Sequence, residues 1–212
     1  MRHRNDGSDY TRLGVLAFGS LLEDAGELDE VTVERVPAQT PFHVEYARSS
    51  TGRGGAPTLV PVTHGGANVQ GQVLVLDPHI TIEDARNRLY RRETNRVTRD
   101  VVYTPKARPS RHDVVILELE AFAGCDVVLY TSIGANIDPL NGTRLAALAV
   151  SSAKTRAGDE RRDGISYLAG AKRNGVITPL TTAYEEAVLR LTGTSTLEQA
   201  WQTCRNEASA RS

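Results

Sequence analysis

A chain of 212 residues, 40% apolar and 24% charged, has the balance of an ordinary globular protein and can bury one sizeable core, so a single domain over 1–212 is expected. Lys and Arg total 25 against 26 Asp and Glu, a formal charge of -1 with no long basic run. That balance gives no electrostatic basis for a nucleic-acid or anionic-membrane partner and favours a small, near-neutral ligand.

Residues 1–10 are polar and charged, without the apolar run of a secretory signal, and no later window approaches the length of a membrane span. A cytoplasmic protein is expected, with a flexible tail at 1–10 and frayed residues at 206–212. Cys125 and Cys204 have neither zinc-ligand nor redox-motif spacing, which predicts free thiols in a reducing compartment, both serving as core filler.

From Leu13 to Ser132 the apolar residues fall in short Val-, Leu- and Thr-rich runs punctuated by Gly, Pro and Asp. This predicts about eight strands, over residues 13–18, 31–36, 42–48, 58–62, 69–76, 100–103, 114–121 and 127–131. Val114, Ile116 and Leu119 or Phe122 alternate with Glu118 and Glu120, as in a sheet with one covered face. One helix interrupts the strands: Thr81 is its expected N-cap, Glu83 and Asp84 sit in its first turn, and Ile82, Ala85, Leu89 and Tyr90 form its apolar stripe.

Beyond Asn141 the period is helical. Leu145, Leu148 and Val150 start one helix, and Ile165 and Leu168 mark a second that stops at Asn174 and Gly175. Thr182 to Glu185 and Ser195 to Glu198 read as capping boxes ahead of two more. Strands over 12–135 followed by helices over 141–205 predict an α+β fold, with helices packed on one side of a curled sheet.

Glu93 is the leading candidate for chemistry. At 100° per residue, positions 82, 89 and 93 fall within about 40° of one another, so a carboxylate continues the buried stripe. Burial and the helix C-terminus both disfavour its ionisation, which suits a general acid/base. The competing reading is structural, with Glu93 paired to Arg91, Arg92 or Arg96 and tying the helix end down.

The second feature is the turn Phe18, Gly19, Ser20, Leu21 and Leu22, directly after the first strand. A Gly-Ser turn there lets consecutive backbone N–H groups converge on a carboxylate, although a plain strand-to-loop turn fits the same residues. The glycine-rich segment from Thr51 to Gly55 precedes a strand and lacks the helix of a phosphate loop. It is expected to be a mobile hairpin bordering the site, with Arg53 as an anion contact. Tyr130, at a strand end, either presents its hydroxyl to the cavity or packs. His3, His43, His64, His79 and His112 show no metal-ligand spacing, so no metal site is expected.

Taken together, these features resemble the γ-glutamylcyclotransferase (AIG2-like) family. Its members carry a strand running into a Tyr-Gly-Ser-Asn-Leu or Tyr-Gly-Thr-Leu loop and, much later, a glutamate at a helix end after a Gly-containing strand. The corresponding segments here are Phe18 to Leu22, Val69 to Val75, and Arg91 to Thr94. A third block, Tyr167 to Gly175 followed by Pro179, Leu180 and Tyr184, is similar to the vertebrate branch. The likeness spans Leu13 to about Leu191.

The resemblance implies a small mixed β-barrel with flanking helices, here with a helical C-terminal extension that covers the pocket or makes a homodimer contact. It implies an enzyme without cofactor or metal, in which Glu93 shuttles a proton while a γ-glutamyl amide cyclises to 5-oxoproline. Phe18, Gly19, Ser20, Leu21 and Leu22, with Arg53 and Tyr130, are the expected substrate contacts. Phe18 and Leu21 stand where the family has Tyr and Asn, making the pocket more apolar and leaving γ-glutamyl amines as open as γ-glutamyl amino acids. Two alternatives stay open: a catalytically silent metabolite-binding module, and a hydrolase in which Glu93 activates water.

Overall fold

The computed structural model describes residues 11–96, 98 and 100–210, so the tail expected at 1–10 lies outside the described residues. Among the described residues, seven strands and six α-helices follow in order: β1 (Leu13–Ala17), β2 (Thr32–Gln39), β3 (Val44–Ser50), β4 (Ala56–Pro61), β5 (Gln70–Leu76), α1 (Ile82–Thr94), β6 (Val115–Phe122), β7 (Cys125–Ser132), α2 (Gly142–Ala153), α3 (Arg156–Asp159), α4 (Gly164–Arg173), α5 (Thr181–Thr192) and α6 (Leu197–Ser209). The α+β class is as expected. No helix among the described residues is long and apolar enough to cross a membrane.

The main sheet is open, in the order β2-β5-β1-β7-β6, with β1 antiparallel to β5 and parallel to β7; β3 and β4 form a separate ribbon. No closed barrel forms among the described residues. Just past β2, Thr40 extends the contact with the start of β5. Its N–H donates to Val69 O, its hydroxyl accepts from Val69 N at 3.0 Å, and that hydroxyl donates to Phe42 O at 2.8 Å.

Helices cover both faces of the sheet rather than the single face expected. Successive residues of β1 alternate between two apolar clusters: Leu13, Val15 and Ala17 join Ala85 and Leu89 of α1, whereas Leu16 joins Leu145, Ile165 and Leu168 from the C-terminal helices. β5 does the same with Leu74 and Leu76 against Val73 and Val75. Strands buried on both faces read as continuous apolar runs, as Leu13–Ala17 does. Cys125 and Cys204 are free and buried in the C-terminal-helix cluster, as expected of core filler.

The strand expected at 100–103 does not form. The segment's polar groups are taken by side chains instead: Asn87 accepts from Tyr103 N at 2.7 Å, Arg91 donates to Val101 O at 3.3 Å, and the Tyr103 hydroxyl accepts from Ile116 N at 3.1 Å. The expected capping boxes also shift. α6 is capped by Thr196, which accepts from Gln199 N at 3.2 Å, while Ser195 N donates to the Gln199 side chain. α5 has no local side-chain cap, and Leu180 occupies that position. The buried Glu45 of β3 caps it from outside, accepting from Leu180 N at 3.3 Å and the Thr178 hydroxyl at 2.6 Å. The fraying expected from 206 does not occur through Ser209, because α6 packs on α5 and α4 and Lys154 pairs with Glu207 at 2.6 Å; 211 and 212 lie outside the described residues.

Candidate active site

The C-terminal end of α1 is fixed from several directions. Thr81 caps its first turn by accepting from Asp84 N at 3.1 Å, and Ala85 and Leu89 are buried beneath it. In the last turn, Arg91 grips Glu27 through two parallel hydrogen bonds of 2.8 and 2.7 Å, the fork geometry that makes Arg–carboxylate pairs directional. Asn95 then closes the helix in the left-handed region at φ 53°, its N–H donating to the last carbonyls.

Glu93, held in that last turn, is partly buried, with 21% of its side chain exposed. Of the three arginines weighed as partners, Arg92 is the one in contact, donating from Nη1 to Glu93 Oε1 at 2.9 Å. The same guanidinium donates from Nη2 to the Ser20 hydroxyl at 3.1 Å and from Nε to Asp24 O at 2.9 Å. Arg92 thus ties the helix end to the turn after β1, and the ion pair holds Glu93 on the turn's side. Oε2 of Glu93 makes no hydrogen bond among the described residues.

The turn itself is a 3-10 helix over Gly19–Leu22, entered from an extended Phe18. The opening N–H groups of such a helix have no partner within it, and Phe18 supplies no side-chain acceptor. Gly19 adopts φ 58°, and a Cβ there would stand 2.7 Å from the Tyr167 hydroxyl, so glycine is required for both conformation and room. Glu23, just past the turn, accepts from Arg173 at 3.3 Å and Asn174 at 3.4 Å, drawing the turn against α4 and the Tyr167 it carries.

Ser20, Arg92, Glu93 and Tyr167 border one cleft of about 620 Å³, lined by Arg48 and Arg53 among others, whereas Gly19 does not line it. A recess of about 40 Å³ adjoins it, lined by Phe18, Ser20, Leu21, Glu93, Thr131 and Tyr167. The carboxylate and the turn picked out from the sequence therefore share a cavity. Leu22 packs half-buried between the two apolar clusters and lines neither space.

Arg53 is in the cleft wall, but its hairpin is tied rather than free. Ser152 donates to Arg53 O at 2.6 Å, Ser49 donates to Gly55 O at 2.9 Å, and Gly54 N closes on Thr51 O at 3.1 Å. Tyr130 lines neither cavity; its ring stacks on Phe42 with centroids 4.6 Å apart. Its neighbour Thr131 lines the recess instead, because successive strand residues point to opposite faces.

Residue-by-residue reading of the sequence did not single out Tyr167 as a site residue, although it lies in the third block of the resemblance. Its hydroxyl accepts from Leu59 N at 3.3 Å and donates to no group among the described residues. Burial raises its phenol above the ordinary range, with Arg53 opposing, so the hydroxyl stays protonated and able to donate into the cleft. The arginines were equally hard to find: Arg48, Arg92 and Arg162 arrive at the cleft from β3, α1 and the approach to α4, with no common spacing.

No protein-family model, curated protein or solved structure matches this chain.

Proposed function

We propose that the chain is a γ-glutamylcyclotransferase-type enzyme, its open sheet and flanking helices a version of the γ-glutamylcyclotransferase-like fold, acting on a small γ-glutamyl amide with Glu93 as acid and base. The observation that carries this reading is that Glu93, Ser20 and Tyr167 line one cleft, with Arg92 bonded to both the carboxylate and the serine.

In the proposed reaction the substrate's α-amine attacks its own γ-carbonyl. A ring C–N bond forms, the amide C–N bond breaks, and the proton lost by the attacking nitrogen is returned to the departing one through Glu93. Because the nucleophile belongs to the substrate, the protein's tasks are orientation and proton transfer. Tyr167, a protonated donor on the same wall, suits the oxygen on which charge develops. Phe18 and Leu21 give the recess an apolar side that shields the forming ring.

The test is product analysis by mass spectrometry across a panel of γ-glutamyl amides. The expected product is 5-oxoproline, and Glu93→Gln should lower its release by roughly 10²–10⁴-fold with an unchanged circular-dichroism spectrum. Undiminished turnover in that variant would defeat the proposal. Free glutamate would identify a hydrolase, and ligand-induced thermal stabilisation without product would identify a binding module.

A further inference from the structure

Of the hydroxyl side chains lining the small recess beside Glu93, two are held in the same way. Ser20 Oγ, from the turn after β1, accepts from Arg92 Nη2 at 3.1 Å, and the Tyr167 hydroxyl, from α4, accepts from Leu59 N at 3.3 Å. Neither donates to a group among the described residues. An N–H seated on a hydroxyl lone pair turns the hydroxyl hydrogen away from itself, so both protons are left for a ligand.

The two groups lie close together, since a Cβ on Gly19, the residue before Ser20, would stand 2.7 Å from the Tyr167 hydroxyl. Phe18, Leu21, Val60 and Ile133 supply apolar lining around them. In such surroundings a donor without an acceptor is costly, and a ligand oxygen removes the cost. At about 40 Å³ beside a cleft of about 620 Å³, the recess admits a carbonyl-sized group rather than a whole substrate.

We propose that Ser20 is a second catalytic donor: its hydroxyl, aimed by Arg92, joins that of Tyr167 in binding the γ-carbonyl oxygen inside the recess. This rests on the cyclotransferase reading. As the α-nitrogen adds to the γ-carbon, the carbonyl π pair moves onto that oxygen, and it returns when the amide C–N bond breaks; both hydroxyls keep their protons throughout. Donors fixed in advance stabilise the developing charge more than the neutral carbonyl. Glu93, lining the same recess, stands where it can take the proton of the attacking nitrogen, and Arg92 is a positioning residue for both. The substrate's α-carboxylate is the other oxygen that two donors could hold, but its charge is the same in the ground and transition states, so the two assignments differ kinetically.

The experiment measures kcat and KM for 5-oxoproline release from γ-glutamyl-alanine by the wild type, Ser20→Ala, Ser20→Thr, Tyr167→Phe and the Ser20→Ala/Tyr167→Phe double variant. Ser20→Ala and Tyr167→Phe should each lower kcat by about 10²–10³-fold with KM within about threefold of the wild type. Ser20→Thr, which keeps the hydroxyl, should recover most of the loss, and the double variant should lose less than the product of the single losses, because donors on one oxygen act as a unit. A raised KM at unchanged kcat would move the hydroxyls to the α-carboxylate and overturn the proposal, as would a kcat loss in only one of the two single variants. If the wild type releases no 5-oxoproline, the cyclisation reading falls, and thermal stabilisation by 5-oxoproline, whose lactam oxygen is the former γ-carbonyl oxygen, decides the hydroxyl pair. Stabilisation that is lost in the double variant keeps the pair as a carbonyl site; equal stabilisation of both proteins, or of neither, removes it.

Discussion

At Gly19 two constraints coincide. The residue sits at φ 58°, where a Cβ meets the backbone, and that Cβ would stand 2.7 Å from the Tyr167 hydroxyl. The conformational part costs about 1–2 kcal/mol, and the contact forces the phenol away from Leu59 N and out of the cleft wall. Gly19→Ala should therefore lower stability by about 1–2 kcal/mol in denaturant unfolding and reduce turnover beyond what the lost stability explains. Full activity in a folded Gly19→Ala protein would show that the Tyr167 position is immaterial.

At the same scale, Glu93 and the turn were legible because each has a local signature: helical phase for one, a glycine leaving a strand for the other. Tyr130 was misplaced by one residue in a two-residue period, since a strand read without its partner does not declare which face is inward. Arg92 was weighed only as a tether for Glu93. Its bond to Ser20 joins residues 72 apart in the chain, a separation over which no local pattern carries information.

Elements differ in whether their caps are local. α1 and α6 carry their own, Thr81 and Thr196, and both helices were readable from the sequence. α5 takes its cap from β3. Glu45, 2% exposed, accepts from the Thr178 hydroxyl, Leu180 N and Tyr46 N, with the helix N-terminus adding a favourable dipole for the carboxylate. Thr182, the cap expected from the sequence, is exposed and makes no side-chain hydrogen bond among the described residues. Glu45→Ala should cost about 2 kcal/mol in denaturant unfolding by leaving those donors without an acceptor. Thr182→Ala should stay within about 0.5 kcal/mol of the wild type. The reverse order of effects would return the cap to Thr182.

Across the whole molecule, three tyrosines join the ribbon and the C-terminal helices to the cleft. Tyr46 of β3 meets Tyr184 of α5 at 5.3 Å and Tyr167 of α4 at 6.3 Å, both edge to face. Class and element order were legible in the chain, but this layering was not: the one-sided packing expected from the sequence leaves no reason for β3, α4 and α5 to meet over a buried phenol. Burial raises all three phenols above their ordinary value of 10.0.

The sign of the pH dependence follows. Above about pH 10 the unfolded chain releases these protons while the folded chain retains them, so the stabilisation is complete below that pH and is lost as pH rises. The expected slope is at most about 1.4 kcal/mol per pH unit for each phenol that stays protonated in the folded chain. Phenolate absorbance from the cluster should thus appear together with loss of far-ultraviolet dichroism. Tyr46 offers the cleanest test, because its buried hydroxyl makes no hydrogen bond of normal geometry among the described residues, the Thr181 side chain being only a weak neighbour. Tyr46→Phe should hold or raise stability at neutral pH, by up to about 1 kcal/mol, and should make the alkaline fall shallower. An alkaline limb left as steep as in the wild type would mean that Tyr46 titrates without unfolding, and that this core is open to solvent.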